Sequence, residues 1–371
     1  MIKKLVMILT AMVLVCGLIL AINSGNQSIV LSDDQEQYRY RNNSGNGLTI
    51  QWIGTAEGSD KAFQSLKTMC DEINIVSGGR LVLDFKPVGE LCPQGEVFEA
   101  VDQGNIDFAV CDLISLDSYY PVNQIIANRG AGMSPMEKYQ WLISGDGTEL
   151  LQQTVADSNI YVVPGGGLIT TPETFLCSGV PIIEPTDLED LKIRCAGDMG
   201  VVLDRMGANT MFLPGSQIYD AMEMGGGMED GIDAFEYGSA YLDRTMAFYE
   251  VAEYMYLSGV RVNGDFMPLI VYQVRWDELS ADLRILIEKI SREHVTKYYG
   301  ELCQCDLEAL WFFENYGCTV EQLSNDVEQA FLTEAEIFYD EKAIDYPGLY
   351  ADILESQREF QENFRAVWPR P

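Results

Sequence analysis

Two polar clusters about forty residues apart in the sequence could together bind a small anion. The first ends the apolar run Leu191-Lys192-Ile193-Arg194, and the second ends the run Ala234-Phe235-Glu236-Tyr237. The planar guanidinium of Arg194 can hold a carboxylate through two parallel hydrogen bonds, a geometry that lysine does not offer. Glu236 could hold a cation beside that carboxylate. For both charged residues an ordinary structural ion pair remains the alternative.

Each cluster stands at the end of a predicted β-strand. Between them the sequence predicts a helix at residues 199–206, a short apolar strand at 210–213 and a helix that begins at Ser216. In an open α/β sheet, the ends of strands joined by helical crossovers usually face the same crevice, where small ligands bind. We therefore expect Arg194 and Glu236 to lie at one cleft.

The preceding part of the chain has the same alternating pattern. Residues 48–54, 81–85 and 106–111 read as strands, and apolar residues between Ala62 and Ile73 recur at helical spacing. This order predicts an α/β protein with a parallel, right-handed doubly wound core. The glycine triplet at residues 165–167 lacks the residues of a phosphate-binding loop, and we interpret it as a hinge or tight turn.

The last third of the chain is predicted to be helical. Apolar residues from Ser280 predict a long helix that continues towards Phe313. The remainder, residues 319–368, also has helical periodicity, and Pro347 interrupts it.

Composition limits the classes of function. A chain of 371 residues with 47% apolar residues can fold into two ordinary domains and is not disordered. The formal net charge of −33 argues against a nucleic-acid partner, which requires clustered lysine and arginine. Eight cysteines follow Cys16. The sequence is compatible both with disulfide bonds between them and with free, buried thiols.

The first 22 residues form the one stretch of membrane length. Lys3 and Lys4 precede an uncharged, mostly apolar run, which predicts an export signal, with an uncleaved anchor as the alternative. Residues 23–47 are largely polar and read as a flexible tether. We therefore expect the folded part to be exported, in the periplasm or on the outer face of the cytoplasmic membrane, with membrane contact only through residues 1–22.

Short motifs occupy residues 51–54, 77–81, 89–93, 96–107, 191–194, 213–219, 231–237 and 276–279. Their order along the chain resembles that in the solute receptors of tripartite ATP-independent periplasmic (TRAP) transporters, the DctP-type family. The resemblance covers roughly residues 48–276, with a weaker helical tail beyond.

The resemblance implies a two-lobed α/β receptor, each lobe a mixed or parallel sheet flanked by helices, with a long helix across the hinge. Lobe one would comprise residues 48–171 and 260–299, and lobe two residues 172–259 and 300–371. In this family the arginine that matches Arg194 clamps the carboxylate of the ligand. Glu236 and Tyr237 would lie beside it, and Glu90 and Phe175 would line lobes one and two.

The resemblance also raises the question of a metal ion. In the branch that binds small keto or hydroxy acids, an acidic and aromatic pair helps to hold an ion, so Glu236 is a candidate ligand for Na⁺ or Ca²⁺. That branch usually has a glutamine shortly before the strand that here contains Phe175. This sequence has Thr170-Thr171-Pro172-Glu173 instead, so no metal ion is required.

The predicted function is capture of a small keto, hydroxy or dicarboxylic acid and its delivery to TRAP permease subunits in the membrane. No enzymatic motif competes strongly, because the single histidine, His294, lies in a helical pattern and no nucleophile elbow is present. Two alternatives stay open: an exported hydrolase that uses paired carboxylates, and a module that senses the same ligand without transport.

Overall fold

The computed structural model describes residues 49–113, 121–261 and 264–367. These residues belong to one compact unit, Leu48–Pro371. The predicted export segment and tether, residues 1–47, lie outside the described residues. Among the helices within the described ranges, none has the length and apolar character needed to span a membrane.

The described residues contain strands of two separate sheets. In chain order they are β1 (Ile50–Ala56), β2 (Leu81–Phe85), β3 (Phe108–Val110), β4 (Ile160–Ile169), β5 (Leu176–Ser178), β6 (Lys192–Arg194), β7 (Asn209–Met211), β8 (Ala234–Phe235), β9 (Tyr254–Leu257), β10 (Phe266–Tyr272) and β11 (Thr319–Gln322). The first sheet has the order β2-β1-β3-β10-β4, and the second has the order β11-β9-β5-β8-β6-β7.

Both sheets are mixed. In the first, β1 is parallel to β2 and β3, as the βαβ pattern predicts, whereas β10 is antiparallel to β3 and β4. In the second, β6 is parallel to β7 and β8, whereas β5 is antiparallel to β8 and β9. The chain therefore crosses between the sheets more than once, after β4, after β9 and after β10.

Helices cover both sheets. They are α1 (Asp60–Val76), α2 (Val97–Asp102), α3 (Val122–Asn128), α4 (Pro135–Ser144), α5 (Gly147–Thr154), α6 (Asp198–Arg205), α7 (Gly215–Met224), α8 (Ala240–Thr245), α9 (Gln273–Asp277), α10 (Ala281–Tyr316), α11 (Asn325–Asp345) and α12 (Leu349–Val367). The predicted mixed α/β architecture of two sheets flanked by helices is confirmed.

The long helix α10 connects the two halves of the fold. It follows Ser280 and ends at Gly317, whose φ of +118° is left-handed backbone that favours glycine. It packs against α1 and β4 of the first half and against α8 and β11 of the second. The predicted long helix is therefore present, and it touches elements of both sheets.

The C-terminal segment differs from the sequence-based expectation in one element. Residues 319–322 form strand β11, which pairs in parallel with β9, and the helical prediction for these four residues is wrong. Thr319 and Val320 are β-branched and favour the edge of a sheet over a helix. Helix α11 then packs on α6, whereas α12 packs on α3, α4 and α5, beside the first sheet.

The glycine triplet lies inside strand β4, so the predicted turn there is wrong. Gly165 and Gly167 have φ values of +68° and +136°, and the register with β10 shifts at this point. A Cβ on Gly166 would lie 2.7 Å from the hydroxyl oxygen of Ser291 on α10. The glycines therefore allow α10 and β10 to approach the backbone of β4 closely.

Substitution of Gly167 tests this close approach. A Cβ there would lie 2.1 Å from the carbonyl oxygen of Met267, and the φ of +136° is unfavourable for alanine. We expect Gly167→Ala to lower the free energy of unfolding by roughly 2–4 kcal/mol in urea denaturation. Gly227→Ala is the matched control, because no atom lies within 4 Å of the added methyl group. Equal stability of the two variants would contradict the steric explanation.

Candidate functional site

Arg194 and Glu236 meet at the ends of adjacent strands. Strands β6 and β8 are parallel and place Arg194 opposite Phe235. The backbone N–H of Glu236 donates to the carbonyl oxygen of Arg194 at 3.0 Å, which continues the pairing beyond β8. The prediction that the two strand ends lie at one edge of a sheet is confirmed.

Arg194 is 5% exposed, and the protein fixes one side of its guanidinium. Its Nε donates to the carbonyl oxygen of Leu213 at 2.9 Å. Its Nη1 donates to the carbonyl oxygen of Glu236 at 2.5 Å and to Oε1 of Glu236 at 3.0 Å. Within the described residues, Nη2 has no hydrogen-bond partner, so its two N–H groups remain available to a ligand.

Two aromatic rings flank this guanidinium. Its central carbon lies 5.7 Å from the ring centroid of Tyr237 and 5.4 Å from that of Phe212, within the range of cation–π contacts. Phe212 is 67% exposed, which is unusual for a large apolar side chain. A ligand bound to Nη2 of Arg194 would therefore lie beside aromatic surface.

Both carboxylate oxygens of Glu236 are engaged by donors. Oε1 accepts from Arg194 and from the backbone N–H of Ala196, the latter at 2.5 Å. Oε2 accepts from Nη1 of a second arginine, Arg261, at 2.8 Å. Glu236 is 3% exposed, so its charge is balanced by these buried guanidinium groups rather than by water.

Arg261 makes the most extensive set of contacts in the site and is 1% exposed. Its Nη2 donates to Oε2 of Glu173 at 2.6 Å and to the carbonyl oxygen of Thr174 at 2.9 Å. Its Nε donates to the carbonyl oxygen of Phe175 at 3.0 Å. Glu236 and Glu173 are thus joined through one guanidinium.

Charge interactions keep Arg261 ionised. Burial acts to lower the pKa of its guanidinium, but the carboxylates of Glu236 and Glu173 raise that pKa above its ordinary value. The side chain therefore carries a permanent positive charge in a site from which water is largely excluded.

A cavity of about 170 Å³ lies next to this cluster. Glu173 and Tyr237 belong to its lining, whereas Arg194 and Glu236 do not. Tyr237 contacts the guanidinium of Arg194, and Glu173 is joined to Glu236 through Arg261. Helices α1 and α10 and strand β10 also contribute to the lining, and Thr171 contributes a buried hydroxyl that has no partner among the described residues. Its other lining residues include Ser59, Ala62, Leu242, Asp265, Met267, Tyr298 and Leu302. The cavity therefore lies between elements of the two sheets.

The remaining predicted site residues lie elsewhere. Phe175 is fully buried, its ring packs edge-on against Phe331 at 5.2 Å, and only its carbonyl group reaches the cluster. Glu90 is exposed in the turn after β2 and is not part of the cavity lining. The structure thus brings together Arg194, Glu236 and Tyr237, while ligand contacts by Phe175 and Glu90 stay predictions.

Sequence reasoning missed Arg261 and gave Glu173 no partner. One signal was present: Glu173 stands near the position where a neutral glutamine is usual in the related branch. A buried acidic residue requires a cationic or hydrogen-bonding partner. The sequence alone shows neither that Glu173 is buried nor which arginine pairs with it.

The residues around Glu236 do not fit a metal ion. An ion bound to Oε2 would lie beside the guanidinium of Arg261, which already donates to that oxygen at 2.8 Å, and like charges repel. No group of three or more His, Cys, Asp or Glu side chains that could hold a metal occurs within residues 49–113, 121–261 and 264–367. All eight cysteines in these ranges are free thiols.

Comparison with known families agrees with this fold. The family model described as bacterial extracellular solute-binding protein, family 7 (DctP), matches residues 54–345. The match covers most of the chain, so this protein belongs to that family, and the predicted DctP-type receptor class is confirmed.

Similar proteins match most of the chain. A monocarboxylate 2-oxoacid-binding periplasmic protein of Nostoc sp. is 24% identical over 331 residues, which is 87% of this chain and 85% of the relative. A TRAP solute-binding protein of Colwellia psychrerythraea, solved with calcium and pyruvate, is 21% identical with a TM-score of 0.75, over 86% and 96% of the two chains. One of Pseudoalteromonas atlantica, solved with sodium and pyruvate, is 23% identical with a TM-score of 0.74, over the same shares.

A buried acid beside the site should make stability depend on pH. Thr174 donates to Oδ2 of Asp243 at 3.0 Å, and burial raises the pKa of that carboxyl to about 7. An unfolded aspartate titrates near about 4, so the folded state binds an extra proton and is destabilised as the pH rises from about 4 to about 7. Asp243→Asn should remove this part of the pH dependence.

The measurement is urea denaturation of both proteins between pH 5 and pH 8. We expect Asp243→Asn to gain stability relative to the wild type as the pH rises, by roughly 2–4 kcal/mol over this range. Asp220→Asn, at an exposed position of α7, should follow the wild-type curve. A constant difference between Asp243→Asn and wild type would show that Asp243 titrates normally.

Proposed function

We propose that this protein captures a small organic acid, of the keto, hydroxy or dicarboxylic class, outside the cytoplasmic membrane. It then delivers that acid to a TRAP-type permease. The observation that carries the proposal is Nη2 of Arg194, a donor atom with no protein partner in the described residues on an otherwise buried side chain, at the end of a strand beside Tyr237. Such a group is suited to a carboxylate and costs little to order, because the rest of the side chain is already fixed.

The charges around Arg194 favour an anionic ligand. Glu236 and Glu173 would repel a carboxylate if they were unpaired, but Arg261 contacts both of them. The two arginines and two glutamates sum to zero net charge when all four are ionised. The ligand carboxylate therefore meets a neutralised cluster with an available donor rather than an acidic surface.

The size of the cavity favours a small ligand. Its volume of about 170 Å³ lies below the roughly 300–1,000 Å³ that is typical of sites for drug-sized molecules. Apolar side chains such as Leu242 and Met267 suit a short carbon skeleton, and the hydroxyl of Thr171 suits a keto or hydroxy oxygen. Relatives named for 2-oxoacid binding or solved with pyruvate support this class of ligand.

Delivery to a permease and the extracytoplasmic location are inferred from the family. Members are described as extracellular solute-binding proteins, and the predicted export segment at residues 1–22 agrees with that description. The folded receptor would bind the permease. Residues 1–22 would provide the contact with the membrane.

The two alternatives gain less support. His294 lies on α10, and its Nε2 is 3.0 Å from Glu72 on α1 rather than in the lining of the cavity, which does not favour histidine-based hydrolysis. A sensing module would bind the same acid, so it is separated from a transport receptor by reconstitution with a permease and measurement of ligand uptake. An enzyme is separated by the appearance of product in long incubations.

Replacement of Arg194 tests the site. We expect Arg194→Ala to raise the dissociation constant of the bound acid by roughly 30-fold or more, since a buried hydrogen-bonded charge pair contributes about 2–5 kcal/mol. The variant should still fold, because Arg261 continues to pair with Glu236. Isothermal titration calorimetry measures the affinity, and circular dichroism checks the fold.

Two further variants sharpen this experiment. Arg194→Lys keeps the charge but loses the planar fork, and we expect an intermediate loss of affinity. Arg205→Ala is the matched control, because it removes another arginine of the same half of the fold that pairs with Glu341 at the surface. Wild-type affinity in a folded Arg194→Ala protein would remove Arg194 from the site.

Ligand identity can be found through stability. A ligand that binds only the folded state raises the unfolding free energy by about 2.7 kcal/mol at one hundred times its dissociation constant. We expect at least one short keto, hydroxy or dicarboxylic acid at millimolar concentration to raise the melting temperature by several degrees in a thermal-shift screen. The amides of the same acids are the control, and a flat response across the acid panel would contradict the proposal.

A further inference from the structure

The guanidinium of Arg261 lies in a shell of oxygen atoms of the kind that hard cations prefer. It donates to one carboxylate oxygen of Glu236 and one of Glu173, and to the carbonyl oxygens of Thr174 and Phe175, at distances of 2.6–3.0 Å. Carboxylate and carbonyl oxygens are the ligands that Ca²⁺ takes in proteins. Here, a side chain of the protein supplies the positive charge at their centre.

We propose that Arg261 is a built-in cation that takes the place of the metal ion beside the ligand, so that this receptor binds its organic acid without Na⁺ or Ca²⁺. The inference rests on the proposed function for the identity of the ligand, but not for the state of the cation site. It would set this chain apart from similar proteins that were solved with calcium and pyruvate or with sodium and pyruvate bound.

Electrostatics supports this assignment. A second cation near Oε2 of Glu236 would be repelled by the guanidinium that already donates to it, with little water to screen the repulsion. The guanidinium also cannot easily withdraw, because its Nε and Nη2 are bound to backbone carbonyl groups of residues 174 and 175. Metal binding would therefore require the loss of several buried hydrogen bonds.

The charge on Glu173 completes the argument. A neutral residue at position 173 would leave Arg261 paired with Glu236 alone, and Glu236 is already shared with Arg194. Glu173 accepts from Arg261 at 2.6 Å. Burial raises the pKa of the Glu173 carboxyl, and the guanidinium of Arg261 opposes that rise, so the pairing with Arg261 is what favours a negative charge at this position. Arg261 and Glu173 are therefore electrostatically complementary.

The first test uses the wild-type protein. Affinity for the organic acid is measured by calorimetry in a sodium-free buffer with a chelator, and again with 100 mM NaCl or 1 mM CaCl₂ added. We expect the dissociation constants to agree within about twofold to threefold. A loss of tenfold or more in the metal-free buffer would overturn the proposal while leaving the receptor function intact.

The second test needs no organic acid. Ca²⁺ is titrated into wild type, Arg261→Ala and the double variant Glu173→Gln/Arg261→Ala, with the melting temperature as the readout. We expect Ca²⁺ to leave the wild type unchanged and to raise the melting temperature of at least one variant by several degrees, because the freed oxygens of Glu236 can then bind it. Arg261→Ala removes the guanidinium from two buried carboxylates, those of Glu173 and Glu236, which could destabilise the fold. The double variant neutralises one of these carboxylates and is therefore expected to fold more stably.

Arg275→Ala is the matched control for this titration. Arg275 also joins two carboxylates, those of Asp107 and Glu278, but at the surface. We expect no Ca²⁺-dependent stabilisation of that variant. Stabilisation of the wild type by Ca²⁺, or folded Arg261 variants that remain indifferent to it, would refute the assignment of Arg261. Failure of every acid to bind would instead refute the proposed function.

Discussion

The carboxylate of Glu236 allows two buried guanidinium groups to lie close together at one end of the second sheet. One oxygen accepts from Arg194 and the other from Arg261. Without this shared anion, the two positive charges would repel each other in a region with little water. The orientation of Arg194, and therefore the direction of its free Nη2, depends on this arrangement. The candidate site is thus a property of a charge network rather than of one residue.

Much of this arrangement could be predicted from local sequence patterns. Apolar runs that end in polar residues correctly located Arg194 and Glu236 at neighbouring strand ends, because parallel strands joined by helices present their carboxyl ends at one edge. The helical spacing after Ser280 likewise predicted the long helix α10. Both inferences use only the periodicity of a single element and the order of elements along the chain.

Features that depend on distant partners were not accessible in this way. The local sequence of the glycine triplet indicates a turn, but in the structure the missing side chains allow α10 and β10 to pack closely against β4. Residues 319–322 continue a helical pattern, yet pairing with β9 makes them a strand. Arg261 is about ninety residues from Glu173 in the sequence, and no local pattern connects them. In each case, tertiary contact decides the outcome.

The positions of Glu173 and Arg261 have a mechanical consequence. Glu173 lies on the connection from β4 to β5, and Arg261 lies on the connection from β9 to β10, so both stand where the chain passes between sheets. The backbone N–H of Thr170 donates to the carbonyl oxygen of Asp265, and the backbone N–H of Asp265 donates to the hydroxyl of Thr170, so these residues also join the two connections. Two connections, β4 to β5 and β9 to β10, therefore run between the sheets side by side and are held together by the ion pair of Glu173 and Arg261. Replacing either charged residue would change the stiffness of this joint as well as the charge near the ligand.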